Sequence, residues 1–479
     1  MAYIPTIGLE IHVELKTRTK MFCACLNDPE EVKPNVNVCP ICLGHPGTLP
    51  TANKQAVEAV IKLGLALGGK IAKNSHFDRK SYFYPDLPKG YQISQYESPL
   101  VEGGMLKGIK IGRIHLEEDT GRLIHEGSPS AGSGRPTSLV DFNRAGVPLM
   151  ELVTEPDIKN AEEAVNFAKE LLLILRYLGI SDADMEKGQM RVEANISLPA
   201  DDGGMGTKVE VKNINSFRAV HGAILYEIKR QEKLLDEGKK VIHETRGWND
   251  GKGITVTQRV KEEAHDYRYF PEPDLPPLEL AKFNLDGLKG EIPELPEAKR
   301  HRFVKEFGFN LADVEVLIED EKIADFFEEA ASELKSQLPI TNYQLLFNYF
   351  TSDLKGLMNE KGIGIDGIKI TPEHFAHLAV MVESGELSSR LAKNLLIKMF
   401  ETGADPEALK KEEKLEFIGN EKELKLLAEE IIGKNLKAVE DYKKGKEGAI
   451  QFLVGQVMAK TRGQADPEAL RKLFKKLLR

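Results

Sequence analysis

Several absences narrow the reading of this 479-residue chain. No apolar run approaches the roughly 18 residues a membrane helix needs, so no membrane partner is expected. The start, MAYIPTIGLEIHVELK, lacks a basic stretch followed by an apolar core, so a secretory signal is not expected and a cytoplasmic location is. There is no G-x-x-x-x-G-K-[ST] segment, which excludes a P-loop mode of phosphate binding. A formal net charge of -9 excludes a basic coat that would grip any polyanion. The charge is uneven, however: from Glu407 to Arg479 there are 17 Lys+Arg against 13 Asp+Glu. The final RKLFKKLLR is basic enough to touch phosphate, although a solvated helical face explains it equally well.

Cysteine is scarce and concentrated. All four fall between positions 23 and 42, as Cys23 and Cys25 in FCAC and Cys39 and Cys42 in CPIC. Two close pairs separated by a loop suit a tetrahedral, structural Zn²⁺ site, because four thiolates leave no open position for water or substrate. A redox pair and chance clustering are the alternatives. If zinc takes every thiol, none remains as a nucleophile.

The length calls for more than one core. Up to about residue 290 the chain is rich in glycine, β-branched alternation and turn signals, interrupted by helical periodicity at Ala161–Leu178 and Phe217–Leu235. This mixture predicts an α+β fold with a largely antiparallel sheet. The proline-dense FPEPDLPPLEL and EIPELPEAKR mark its exit, and helical patterns follow, broken near GADPEAL. The expected domains are 1–292, with a four-cysteine knuckle near 23–42, then a helical domain at 293–405 and a small helical tail at 406–479.

Three strands carry chemistry on one face. In GLEIHVELK, Glu10, His12, Glu14 and Lys16 alternate with apolar residues; in MRVEANISL, Arg191, Glu193, Asn195 and Ser197 do so; in VEVK, Glu210 and Lys212 do so. For one strand, a half-buried sheet facing water accounts for this. As a set, neighbouring carboxylates repel unless a cation intervenes. IHLEEDTGR adds Glu117, Glu118 and Asp119. Carboxylates and an imidazole on one sheet face make a platform for Mg²⁺, which prefers oxygen ligands and bridges to phosphates. The turn GGMGTK is a phosphate-cradle signal that a hairpin explains, and GSGRPTS is a weaker match still.

GLEIHVEL, FDRKSYFYPDLPKGYQISQY, HLEEDTGR, DFNRAGVPLMELVTEPD, MRVEANISL, VEVKNINSF and AHDYRYFPEPDLPPL occur in the same order in the B subunits of tRNA-dependent amidotransferases, the GatB family, which this chain resembles. The resemblance implies a cradle related to the glutamine synthetase fold, then a helical domain and a tail similar to helical proteins that engage tRNA. It also implies a reaction. ATP phosphorylates the side-chain carboxylate of misacylated Glu-tRNA(Gln) or Asp-tRNA(Asn), and ammonia displaces phosphate. The implied partners are an amidase (glutaminase) subunit that makes ammonia, a small third subunit, and the aminoacylated tRNA. Many members lack the cysteines, so the zinc expectation rests on this chain's own spacing.

Within that frame Glu10, His12, Glu118 and Glu210 are expected to bind Mg²⁺, with Glu117, Asp119, Glu151 and Glu193 as substitutes. Strict alternation sets Glu118 opposite Glu117 and Asp119, so one assignment fails unless a bulge intervenes. Arg191, Arg246 and Arg268 are candidates for phosphate or for the substrate's terminal groups. Lys80, Tyr82, Asn195 and Lys212 are candidates for positioning substrate or guiding ammonia. His265, Asp266 and Tyr267 belong to the most distinctive block. For any one of these, a structural ion pair is the plain alternative. No thiol is spare, position 2 is alanine, and no Ser-Ser-Lys amidase signature occurs, so ammonia is expected from a partner. Two rival readings remain. A stand-alone ligase for a free carboxylic acid would act without tRNA, and a zinc-stabilised tRNA-binding scaffold would turn over no ATP.

Overall fold

A computed structural model describes residues 3–125, 138–199, 204, 206–260, 267–338, 342–412, 421–461, 465 and 467–478. The expected candidates His265 and Asp266, most of GSGRPTS and part of GGMGTK lie outside these residues. The chain divides into two compact units, Met1–Ala298 and Lys299–Arg479.

The first unit is built on a ten-stranded sheet. Its strands run, from one edge, Ile254–Val260, Glu244–Asn249, Val209–Ile214, Met190–Ser197, Thr6–Glu14, Pro148–Thr154, Ile109–Glu118, Val101–Glu102 and Lys70–Ile71, with Met105–Leu106 paired to the Ile109–Glu118 strand. Only the Val209–Ile214 and Glu244–Asn249 pair is parallel among those described. The fold is thus mixed α+β around a mostly antiparallel sheet.

Alternation decides what each face does. Leu9, Ile11 and Val13 are fully buried and join Ile114, Leu116, Val192, Ala194, Val209 and Val211 in one core. Each of the Val, Leu and Ile side chains contributes about 1.5–3 kcal/mol by leaving water. The helices Lys54–Ala66, Ala161–Tyr177 and Phe217–Asp236 supply the other half of that core. Their starts are capped by Asn53, Asn160 and Ser216, whose side chains accept from backbone N–H groups that the helix leaves unpaired. Register is strongly held, because a one-residue slip would carry the apolar set into the polar face.

A smaller three-stranded sheet joins Phe270–Pro271, Asp78–Ser81 and Tyr91–Ser94. The second unit is helical and has two separate cores. One runs from Phe303 to Leu409 and the other from Leu424 to Leu478, so the helix Pro406–Glu412 contributes Leu409 to the first of them. Among the described residues no helix is long and apolar enough to cross a membrane.

Candidate active site

Cross-strand register assembles the polar face of the large sheet. His12 lies opposite Glu151 on one side and Arg191 on the other, while Glu10 lies opposite Glu193. Glu151 faces His115, and Asn195 faces Glu210. Residues from five adjacent strands therefore meet although they are far apart in sequence.

The geometry is close. The His12 Nε2 is 3.2 Å from a Glu151 oxygen, 3.5 Å from Glu117 and 3.9 Å from Glu10. His115 Nε2 is 3.7 Å from Glu151. Three overlapping sets hold donor atoms within 4.8 Å of one another: Glu10, His12 and Glu151; His115, Glu117 and Glu151; and Glu10, Glu193 and Glu210. Lys212 Nζ reaches Glu193 at 2.7 Å and Glu210 at 3.3 Å, because a bulge sets two residues of its strand against Glu193. The Thr245 hydroxyl donates to Glu210 at 2.8 Å.

Crowding in a dry site shifts these groups. Burial, then the Glu151 and Glu193 carboxylates, push Glu10 up to about 7. Burial and Asp119 push Glu14 up to about 8, and burial and Glu151 raise Glu117. Burial works against a charged His12, yet its hydrogen bond to Glu151 and the surrounding carboxylates lift it to about 9. Burial likewise opposes ionisation of Glu151, but His115 and His12 hold it below the carboxylate range. Desolvation drives His115 down to about 4. Protonation of His12 thus supplies positive charge where a cation would otherwise supply it.

Besides the unpaired Arg191 Nε donor, one acceptor and one imidazole nitrogen, whose role depends on the tautomer, lack partners there. Asn195 Oδ1 and His115 Nδ1 are buried and make no hydrogen bond. An orphaned amide oxygen beside crowded carboxylates fits a site made for a hard cation.

Lys80 and Tyr82 approach from the three-stranded sheet. Burial disfavours the Lys80 ammonium, but Glu117 and Glu151 hold its pKa above the usual lysine range. The Tyr82 hydroxyl lies 3.4 Å from Gln92 Oε1. Asp119 is drawn to the cluster's flank, with Arg191 at 2.5 Å and Arg144 at 3.7 Å.

Three expected residues are not brought into the cluster. Glu118 turns to the opposite side of its strand from Glu117, where it binds Lys89 at 2.5 Å and accepts from the Ile93 N–H at 2.9 Å. No bulge intervenes between Glu117 and Glu118, so strict alternation holds. Arg246 also points away. It lies opposite Val211, a core residue, and donates to Glu244 at 2.7 Å and Thr255 at 2.8 Å, with buried Glu227 at 3.6 Å. Arg268 is exposed, with a left-handed φ of 46°. Asp266 lies outside the described residues. Residues given no role from sequence include His115, Glu14 and Lys89. The signal for His115 was its position two residues before Glu117, on the same strand face.

The four cysteines form a separate cluster. All are free, and their sulfurs lie within 4.8 Å of one another. The Cys39–Cys42 sulfur separation of 3.9 Å is close to the about 3.8 Å that tetrahedral Zn–S bonds impose. The Cys39 N–H donates to Cys42 Sγ at 3.1 Å, and buried Lys20 Nζ stands 4.0 Å away. A hydrogen bond from Cys23 is the main cause that lowers Cys42 to about 5, favouring the thiolate. This cluster can hold a metal ion.

Comparison with known proteins matches both parts. The family model described as the GatB/GatE catalytic domain covers residues 5–286, and one described as the GatB domain covers residues 325–478. The B subunit of the aspartyl/glutamyl-tRNA(Asn/Gln) amidotransferase of Thermoanaerobacter pseudethanolicus is 46% identical, across 100% of both chains. The protein of that name from Thermotoga maritima is 46% identical over 100% of this chain and 99% of its own. That of Persephonella marina is 45% identical over 100% of both. With both domains matched and identity sustained from end to end, this chain belongs to the B subunit family of aspartyl/glutamyl-tRNA(Asn/Gln) amidotransferases.

Proposed function

We propose that this chain catalyses the ATP-dependent step that converts misacylated Glu-tRNA(Gln), Asp-tRNA(Asn) or both to the amide. The observation that carries this reading is the convergence of Glu10, His12, Glu117, Glu151, Glu193 and Glu210 on one buried sheet face. A carboxylate resists ammonia because oxide is a poor leaving group. In the reaction proposed, a substrate carboxylate oxygen bonds to the γ-phosphorus of ATP as the bond to ADP breaks. Ammonia then attacks the acyl carbon, inorganic phosphate departs and a proton is released.

Catalysis of such a transfer is mostly positioning and charge compensation. Glu10, Glu193 and Glu210 form the oxygen-only set suited to Mg²⁺, and Glu10, His12 and Glu151 form the neighbouring set, which shares Glu10. Bound Mg²⁺ supplies compensation of phosphate charge. Lys80 and Lys212 hold positive charge at opposite sides of the cluster, and Arg191 is oriented by Asp119. Asn195 keeps an acceptor for substrate. Tyr82 and Arg268 remain proposed for nucleotide or substrate contact.

The rest of the reading follows from family membership and composition. The region 1–292 is proposed as the catalytic cradle, related to glutamine synthetase, with Zn²⁺ held by Cys23, Cys25, Cys39 and Cys42 as a structural staple. The region 293–405 is proposed as a helical domain and 406–479 as the tRNA-contacting tail. Ammonia is proposed to come from glutamine through an amidase partner, and a small third protein is proposed to complete a cytoplasmic heterotrimer.

The test is ATP hydrolysis by the purified complex given Glu-tRNA(Gln), Asp-tRNA(Asn) or uncharged tRNA. Turnover that requires a misacylated tRNA and Mg²⁺ is expected. Equal turnover with a free amino acid and no tRNA would favour the small-molecule ligase, and no turnover would favour the scaffold.

A further inference from the structure

Lys20 is fully buried. Taking an ammonium out of water is costly unless hydrogen-bond acceptors and an anion replace the solvent. The acceptors are present: Lys20 Nζ donates to the carbonyl of Asn37 at 2.6 Å and to that of Phe142 at 3.3 Å. The anion is not a carboxylate, because among the described residues none lies within ion-pair distance of Lys20. Glu118, which also borders Gly146, holds Lys89 at 2.5 Å instead. What does stand near is a sulfur, Cys42 Sγ at 4.0 Å.

A divalent ion held by four thiolates leaves two net negative charges in a site with little water. Backbone N–H groups such as that of Cys39, 3.1 Å from Cys42 Sγ, compensate this only in part. The buried ammonium lacks an anion, and the loaded knuckle would lack a cation.

The two carbonyls belong to different segments. Asn37 lies two residues before Cys39, and Phe142 lies in the DFNRAG stretch that leads to the Pro148–Thr154 strand. Fully buried Asn143 fastens the same seam. Its Oδ1 accepts from the Val36 and Asn37 N–H groups at 2.8 and 2.9 Å, and its Nδ2 donates to the Lys33 carbonyl at 2.8 Å. Met21 N–H donates to the Gly146 carbonyl at 2.7 Å. Arg144, within this stretch, reaches Asp119 at 3.7 Å, and Asp119 holds Arg191, which lies opposite His12. The seam therefore runs from the thiols to the flank of the carboxylate face.

We propose that Lys20 is the counter-ion of a metal–tetrathiolate centre at the knuckle, and that its bonds to Asn37 and Phe142 transmit the loading of that centre to the 141–146 segment. Lys20 is a positioning residue, acting through the metal and the backbone. The proposal rests on the zinc reading above and adds to it the group that answers the charge of the centre. A lysine that merely capped two carbonyls would matter equally with and without the metal.

The test compares the full-length chain with its Lys20→Met variant, which keeps the length of the side chain and removes the charge, each loaded with zinc and stripped by a chelator. Release of zinc to a chromogenic chelator is expected to be at least about tenfold faster from the variant. Substitution should lower Tm by about 5 °C in loaded protein and by less than half of that in stripped protein. An unchanged release rate, or an equal fall in Tm in both states, would overturn the proposal and leave the zinc reading standing. If the variant does not fold, hydrogen exchange in the unaltered chain decides: stripping zinc is expected to speed exchange of the Asn143 and Gly146 amides about tenfold or more. Unchanged exchange there would overturn the coupling. A chain that purifies without zinc and takes none up would instead sink the zinc reading, and the role of Lys20 with it.

Discussion

The cysteine knuckle gathers four sulfurs within 4.8 Å from a short stretch of chain, Cys23 to Cys42. The carboxylate face reaches the same closeness only in overlapping sets of three, and its carboxylates Glu10, Glu117, Glu151, Glu193 and Glu210 each come from a different strand. Closing a short loop costs little entropy, so the knuckle needs only its own turns and a metal. The cluster cannot form until the large sheet has aligned, and its repulsion is then borne by the apolar core on the other face. A metal at the knuckle is therefore proposed to serve stability, and a metal at the cluster to serve chemistry.

The strongest way to break this contrast is to alter each cluster and ask which property fails. Glu10→Gln or Glu210→Gln is expected to reduce tRNA-dependent ATP hydrolysis at least about a hundredfold. The affinity for tRNA should change no more than a few-fold, as gel-shift titration would check, because its grip is expected to come from phosphate contacts elsewhere. Cys39→Ala is expected to act oppositely. Loss of the proposed metal staple should cost about 4 kcal/mol and lower Tm by roughly 10 °C, with zinc content measured alongside. A Cys39→Ala protein with unchanged Tm would place the knuckle outside the folding machinery.

A second pair of substitutions sharpens the difference between the two sheet faces. Arg246→Ala should cost about 3 kcal/mol in urea denaturation, since it leaves Glu227 and Glu244 buried beside a lost partner. Its KM for ATP is expected to stay within a few-fold of the original. Glu14→Gln tests the polar face through pH. The carboxyl of Glu14 is raised from 4.5 to about 8, so its contribution to stability is complete below 4.5 and is lost as pH rises through 8. In metal-free protein the Gln variant should therefore match the original near pH 4.5 and become progressively more stable than it towards pH 9. A constant difference across that range would remove Glu14 from the account. The smallest effect is expected in the tail, where Lys472→Glu with Lys475→Glu should weaken tRNA binding modestly and flatten its salt dependence.

Much of the first unit was legible because its signals are local. Period-two alternation in GLEIHVELK, MRVEANISL and VEVK assigned each side chain to a face, and helical periodicity marked the helices that begin at Ala161 and Phe217. Alternation also contained the answer for Glu118, whose face opposes that of Glu117 and Asp119. Arg246 was not legible in the same way. Its face depends on the parallel pairing of Glu244–Asn249 with Val209–Ile214 and on an irregularity between Thr245 and Arg246, which no local pattern announces. The approach of Lys80 and Tyr82 is likewise set by packing between two sheets. His115 was visible in HLEEDTGR, yet a histidine between Ile114 and Leu116 reads as an ordinary buried residue until Glu151 is placed across from it.

The most direct test is electron paramagnetic resonance of Mn²⁺ bound to the full-length chain with a non-hydrolysable ATP analogue. Hyperfine coupling of bound manganese to both the nucleotide's phosphorus and the His12 imidazole nitrogen is expected, with the phosphorus signal lost in Glu10→Gln, the carboxylate that the His12 and Glu210 sets share. A manganese ion coupled to the nucleotide but to no histidine, with a spectrum indifferent to Glu10 and Glu210, would contradict the assignment of this sheet face as the reaction centre.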